Sequence, residues 1–127
     1  MIVDPYRVPV RCVIVDDSPL FLEGATDLLE REGLEVVGAA SDGAEAIRLV
    51  EELRPDVTLV DIDLGDEDGF ELARRLGEDS PGSKVILVST HSEEDFAHLI
   101  AESAAIGFVS KARLSAEAIR ATLERAA

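Results

Sequence analysis

The stretch Pro55-Asp56-Val57-Thr58-Leu59-Val60-Asp61-Ile62-Asp63 carries most of the information about the fold of this chain. Val57 to Val60 is a short, nearly unbroken apolar run bounded by charged and turn residues, the pattern of a strand buried on both faces. It ends in the carboxylate of Asp61, and Asp63 follows two residues on.

Working outward, four more runs have β character: Val10 to Val15, Leu34 to Ala40, Lys84 to Val88 and Gly107 to Val109. Between and after them lie stripes at helical spacing. They are Phe21, Ala25, Leu28 and Leu29; Ala46, Ile47, Val50 and Leu53; Leu72, Ala73 and Leu76; Phe96, Leu99 and Ile100; and Ala118, Ile119, Thr122 and Leu123. Ser18 before Pro19 is an N-cap with proline at the first helical position, and Gly33 closes the first helix. Ser92 with Asp95 predicts a capping box, and Leu114 is placed to staple against Ile119 across a Ser115 cap. Five alternations of strand and helix predict an α/β fold, a doubly wound parallel sheet, because parallel neighbours need right-handed helical crossovers.

Composition agrees. The chain of 127 residues is 46% hydrophobic but only 4% aromatic, so its core is built from Val, Ile, Leu and Ala. With no Pro/Gly/Ser-rich break, the expectation is one domain over residues 1–127, with residues 1–9 as an N-terminal extension and no output domain in the chain. A net charge of −15 argues against direct nucleic-acid binding and against anionic membranes, and favours basic partners or metal cations. No run of eighteen apolar residues occurs, and Cys12 stands alone in an apolar run, consistent with a small core residue in a reducing cytoplasm.

In open α/β sheets ligands bind at the carboxyl ends of the strands, near a switch in strand order. There the sequence places Asp16 and Asp17, then Asp61 and Asp63, then Ser89 and Thr90, then Ser110 and Lys111. Clustered carboxylates repel unless a cation joins them, and an all-oxygen site suits Mg²⁺, or Mn²⁺ in its place. Ser89 and Lys111 can meet phosphate oxygens, and an aspartate among them can act as nucleophile and form an acyl phosphate. Taken singly, each residue has a plainer role: Asp17 as a helix-terminal charge, Ser89 as a strand-end hydroxyl, Lys111 as a surface lysine, and Glu67 and Asp68 as a solvated turn before Gly69. Their coincidence at successive strand ends favours the functional role.

The pattern resembles the receiver domain of bacterial response regulators, from about Arg11 to Ala126. The resemblance rests on Val13-Ile14-Val15-Asp16-Asp17-Ser18, Pro55 to Ile62, Asp68-Gly69, Val85-Ile86-Leu87-Val88-Ser89 and Gly107-Phe108-Val109-Ser110-Lys111. It implies a flavodoxin-like five-stranded sheet of order 2-1-3-4-5. It also implies Asp61 as phosphoacceptor, and Mg²⁺ held by Asp17, Asp61 and the backbone carbonyl of Asp63, with Asp16 acting through water. The implied donor is a phosphohistidine on a sensor histidine kinase or phosphotransfer protein, replaceable by small acyl phosphates. The receiver would then be self-phosphorylating and self-dephosphorylating rather than a turnover enzyme.

By the same resemblance Ser89 and Phe108 form the switch that alters the surface of the fourth helix, fifth strand and fifth helix, through which a phosphorylation-dependent homodimer would form. Asp63 and His91, two residues after acceptor and hydroxyl, would tune dephosphorylation. The last motif is similar to that of receivers preceding a DNA-binding helix-turn-helix. The chain departs from the family pattern twice: Ala112 and Gly65 stand where proline is usual, and a cis bond before a non-proline residue costs about 3 to 4 kcal/mol.

Three alternatives share part of this pattern. A haloacid-dehalogenase-like phosphatase would share Asp61-Ile62-Asp63, but Asp16 and Asp17 precede the nucleophile here and no carboxylate pair follows Lys111. A calcium loop from Asp61 would need glycine at its sixth position and glutamate at its twelfth, where Asp66 and Leu72 stand. A receiver-like binding module that is never phosphorylated would not require Asp16, Asp17, Asp61, Ser89 and Lys111 together.

Overall fold

The computed structural model describes residues 9–126, so the expected N-terminal extension lies, but for Pro9, outside the described residues. The elements run β1 (Arg11–Val15), α1 (Pro19–Arg31), β2 (Glu35–Ala40), α2 (Gly43–Leu53), β3 (Val57–Asp61), β4 (Asp63–Leu64), β5 (Glu67–Asp68), α3 (Gly69–Asp79), β6 (Lys84–Ser89), α4 (Glu93–Glu102), β7 (Gly107–Ser110), a 3₁₀ turn (Lys111–Arg113) and α5 (Ala116–Ala126). The main sheet is parallel with order β2-β1-β3-β6-β7, which is the expected 2-1-3-4-5 once the short β4–β5 hairpin is set aside.

Alternation along the strands divides the core in two. Cys12, Ile14, Val57, Leu59, Ile86, Val88 and Val109 face one layer, closed by Ala25 and Leu29 of α1 and by Ala116 and Ile119 of α5. Val13, Val15, Val60, Val85 and Leu87 face the other, closed by Ala46 and Val50 of α2 and Leu72, Ala73 and Leu76 of α3. With both faces covered, β3 is buried at every residue. Cys12 is fully buried, and that burial pushes its thiol up to about 12, an unreactive core group.

Local signals set the helix ends. The Ser18 hydroxyl accepts the Phe21 N–H at 3.2 Å with Pro19 at the first helical position, and Gly33 follows the helix end at φ +97°. The Ser115 hydroxyl accepts the Ala118 N–H at 3.0 Å, and Leu114 and Ile119 are buried in the same core layer.

At α4 two expectations fail. Ser92 makes no side-chain capping bond, so the predicted capping box is absent, and three acidic residues in the first turn supply the favourable terminal charge instead. Leu99, counted in the apolar stripe, is 50% exposed, and no α4 residue is fully buried. Only Phe96 and Ile100 lean on the core, because α4 lies along the side of the sheet where β7 is the edge strand.

Candidate functional site

Strand order reverses at β1: the chain leaves it for β2 on one side and returns to β3 on the other. The carboxyl ends of β1 and β3 therefore flank the crevice where open α/β sheets bind ligands. Asp16 follows β1 and Asp61 is the last residue of β3; both are buried, while the neighbouring Asp17 is exposed. Carboxylate oxygens of Asp16, Asp17 and Asp61 all lie within 4.8 Å of one another.

Lys111, just past β7, brings its ammonium to 2.6 Å from Asp16 Oδ2 and 3.2 Å from Asp61 Oδ2, across 50 positions of sequence in the second case. The contact with Asp16 Oδ2 is close but off the hydrogen-bond direction, so that buried oxygen meets the ammonium's charge without a directed donor. Asp16 Oδ1 accepts the Ser18 N–H at 2.8 Å, and Asp61 Oδ1 accepts the Asp63 N–H at 3.1 Å.

This packing sets the electrostatics. Burial, then the Asp16 charge, push the Asp61 carboxyl up to about 6, against the opposing pull of Lys111 and the Asp63 N–H. Burial also works against the Lys111 ammonium, but its close contact with Asp16 and the two carboxylate charges outweigh it and hold the group above its ordinary value. Two buried carboxylates with one ammonium leave uncompensated negative charge facing Asp17, and an all-oxygen donor set of this kind fits a hard divalent cation.

The hydroxyl residue sits on the next strand. Asp61 pairs with Val88, so Ser89 stands one step beyond it, fully buried, and its Oγ accepts the His91 N–H at 3.1 Å. The His91 ring lies edge-on to Phe96, with Nδ1 at 3.4 Å from Ser89 Oγ and 3.6 Å from Asp63 Oδ2. Asp63 and His91 are thus brought together across the mouth of the site. Phe108 pairs with Leu87 and is half-buried beside the core layer that holds Phe96 and Ile100. Its strand also lines an open groove of about 560 Å³, together with Glu93, Glu94, Arg113 and Arg125.

No described peptide bond is cis, and Lys111-Ala112-Arg113 forms the 3₁₀ turn. Gly65 has φ +61° at the first position of a two-residue hairpin turn, a left-handed conformation that favours glycine there. Gly69 is required by close approach: a Cβ there would lie 2.7 Å from Ile62 Cα and collide with the Asp61 carbonyl oxygen.

Three neighbours escape sequence reasoning. The Phe21 ring, assigned only to the α1 stripe, lies 4.2 Å from the Lys111 ammonium and supports it by a cation–π contact. Glu67 and Asp68 are not merely a solvated turn: Asp68 caps α3 by accepting the Phe70 N–H at 2.9 Å, and Glu67 accepts the Gly43 N–H at the start of α2. Asp68 ahead of a helix is a readable N-cap signal, whereas the Phe21 and Glu67 contacts cross between elements and leave no local trace.

A family model described as the response regulator receiver domain matches residues 12–124. The chain belongs to this family. As a receiver it is 35% identical over 122 residues to the transcriptional regulatory protein NarL of Mycobacterium tuberculosis, covering 95% of this chain and 56% of the relative. It is 34% identical over 113 residues to the response regulator GacA of Pseudomonas viridiflava, covering 88% of this chain and 53% of that protein. The receiver thus spans about half the length of the curated relatives it matches. Among solved structures, the signal receiver domain of NarL from Mycobacterium tuberculosis superposes with a TM-score of 0.81 at 34% identity, covering 94% of this chain and 98% of that one. A two-component response regulator of the LuxR family from Aurantimonas sp. SI85-9A1 gives 0.81 at 32% identity, over 94% and 86%. The flavodoxin-like fold and a place in two-component signal transduction follow, and the receiver family takes the place of the phosphatase alternative. Among the described residues no helix is long and apolar enough to cross a membrane.

Proposed function

We propose that this receiver accepts one phosphoryl group on Asp61 from a kinase phosphohistidine, with Mg²⁺ bound by Asp17, Asp61 and the Asp63 carbonyl and approached by Asp16 through water. The observation that carries the reading is the Asp16–Asp61–Lys111 cluster: two buried carboxylates that share one ammonium at the strand ends. When bound, Mg²⁺ supplies charge neutralisation on the phosphoryl oxygens and on the crowded carboxylates.

An Asp61 oxygen attacks phosphorus, the P–O bond forms and the P–N bond of the donor breaks, returning the imidazole to the kinase. Lys111 neutralises the oxygens of the transferred group from the β7 side, and Phe21 keeps its ammonium in reach. The Ser89 oxygen leaves the His91 N–H, from which it accepts, and moves so that its hydroxyl proton is donated to the new oxygens; Phe108 then turns toward the space it leaves, altering the α4, β7 and α5 surface. Hydrolysis later breaks the aspartyl P–O bond, with water ending in inorganic phosphate and Asp61 ionised again. Asp63 and His91, which meet over the site, set that rate. The cycle is one phosphorylation and one dephosphorylation per signal rather than turnover of a substrate.

The chain is read as one receiver unit acting in the cytoplasm, with a histidine kinase or phosphotransfer protein as partner and a phosphorylation-dependent homodimer through the α4, β7 and α5 face. It is not itself a nucleic-acid or membrane binder. The names of the relatives as transcriptional regulators support control of a DNA-binding output. Intact-protein mass spectrometry after acetyl phosphate, with and without Mg²⁺, tests the reading. One Mg²⁺-dependent phosphoryl adduct that disappears in Asp61→Asn is expected; no adduct in a folded, metal-bound parent returns the chain to the unphosphorylated binding module.

A further inference from the structure

We infer that Glu67 is a positioning residue for the metal-facing loop: its carboxylate ties the β4–β5 hairpin to the first turn of α2 and thereby holds the Asp63 main chain beside Asp61. The hairpin has only two ladder pairs, Asp63 with Asp68 and Leu64 with Glu67, and Leu64 is its one side chain buried in the core, so the β5 side needs a second point of attachment. Both Glu67 oxygens lie 3.1 Å from the Gly43 N–H, and Gly43 is buried, so the contact seats the hairpin directly on the helix end.

α2 does not need this bond for its own capping. Asp42 Oδ1 already accepts the Glu45 N–H at 2.9 Å, and Glu45 reaches back to the Ser41 N–H at 3.0 Å. The helix is anchored separately by Ala46 and Val50 in the core. Glu67 therefore acts chiefly on the hairpin, drawing a carboxylate to the positive end of a fixed helix. On its other side the hairpin backs onto the metal cluster, since a Cβ at Gly65 would lie 3.3 Å from Asp17 Oδ2. A loop seated at both points presents the Asp63 carbonyl already in place; a free one must be ordered when the ion binds.

The inference rests on reading Asp63 as a carbonyl ligand, and calorimetric titration of the whole chain with Mg²⁺ alone tests it. Glu67→Ala is expected to bind roughly three- to fivefold more weakly, the scale of a charge at an exposed helix terminus. Glu67→Gln, which still offers an oxygen to the Gly43 N–H but no charge to the helix end, recovers only part of the affinity. Gly43→Ala attacks the same contact from the helix side, because its Cβ would fall 2.5 Å from Glu67 Oε1. It should weaken binding in the parent and add nothing in Glu67→Ala. Amide exchange at Gly43 must quicken in Glu67→Ala, which checks that the tether has been cut. Mg²⁺ affinity equal to the parent's despite that faster exchange overturns the inference and leaves the proposed function standing; a folded parent that binds no Mg²⁺ overturns both.

Discussion

Replacing Asp61 by asparagine should stabilise the metal-free protein at neutral pH, and the gain should depend on pH in a defined direction. The Asp61 carboxyl is held at about 6 against an ordinary 3.8 by burial and by the Asp16 charge. Each pH unit of such a difference is about 1.4 kcal/mol, so the full charge penalty is about 3 kcal/mol. Solvent at the open rim of the site screens part of it, leaving about 1 to 2 kcal/mol as the expected effect. The folded state binds the proton more tightly than the unfolded chain, so this group's contribution is complete below about pH 4 and is lost as pH rises through about 6. Asparagine cannot ionise and escapes that loss.

The assay is urea unfolding followed by far-ultraviolet circular dichroism in a chelator at a series of pH values, parent against variant. The difference in unfolding free energy isolates Asp61 from the other acidic groups, which titrate in both proteins. It should widen in favour of Asp61→Asn between about pH 4 and pH 6 and stay level above about 7. Saturating Mg²⁺ should then narrow it, because the ion binds the folded parent more tightly than the folded variant. A difference that does not change with pH, or a metal-free parent more stable than the variant at neutral pH, refutes the account of the buried carboxylate pair.

Three other outcomes are expected. Thr58→Val should stabilise the protein by about 1 kcal/mol in the same unfolding assay, since the Thr58 hydroxyl is fully buried in β3 without a hydrogen-bond partner and valine has its shape. Gly69→Ala should cost about 3 kcal/mol or more, because the new Cβ meets backbone of Asp61 and Ile62 that cannot give way as a side chain would. Alanine at Asp63 or His91 should change the decay rate of the phosphorylated protein, followed by loss of the mass adduct; unchanged decay in both variants removes them from control of its lifetime.

Much of this fold is legible in sequence because it is built from local signals. The five strands of the main sheet fall within a residue of the apolar runs, and Ser18, Ser115 and Asp42 cap their helices through residues three positions on. Strand ends extend one residue past the apolar runs at Asp61, Ser89 and Ser110, so the ladder itself carries polar residues to the edge of the site. Position at a strand terminus is a property of the local pattern, and this is why Asp16, Asp61, Ser89 and Lys111 stand out in the sequence itself.

What only the tertiary structure decides is which of these groups touch. The Lys111 ammonium lying against Asp16 and Asp61, Phe21 beneath it, His91 meeting Asp63 and Glu67 reaching Gly43 all depend on strand register and crossover direction, which no window of neighbouring residues encodes. The same limit explains α4, where an apolar stripe and a capping pattern were present but the helix lies beside an edge strand with too little surface to bury them. Local sequence determines the elements and delivers charged residues to one edge of the sheet. Long-range packing determines how much solvent and countercharge each group keeps, and through these the buried charge of Asp61.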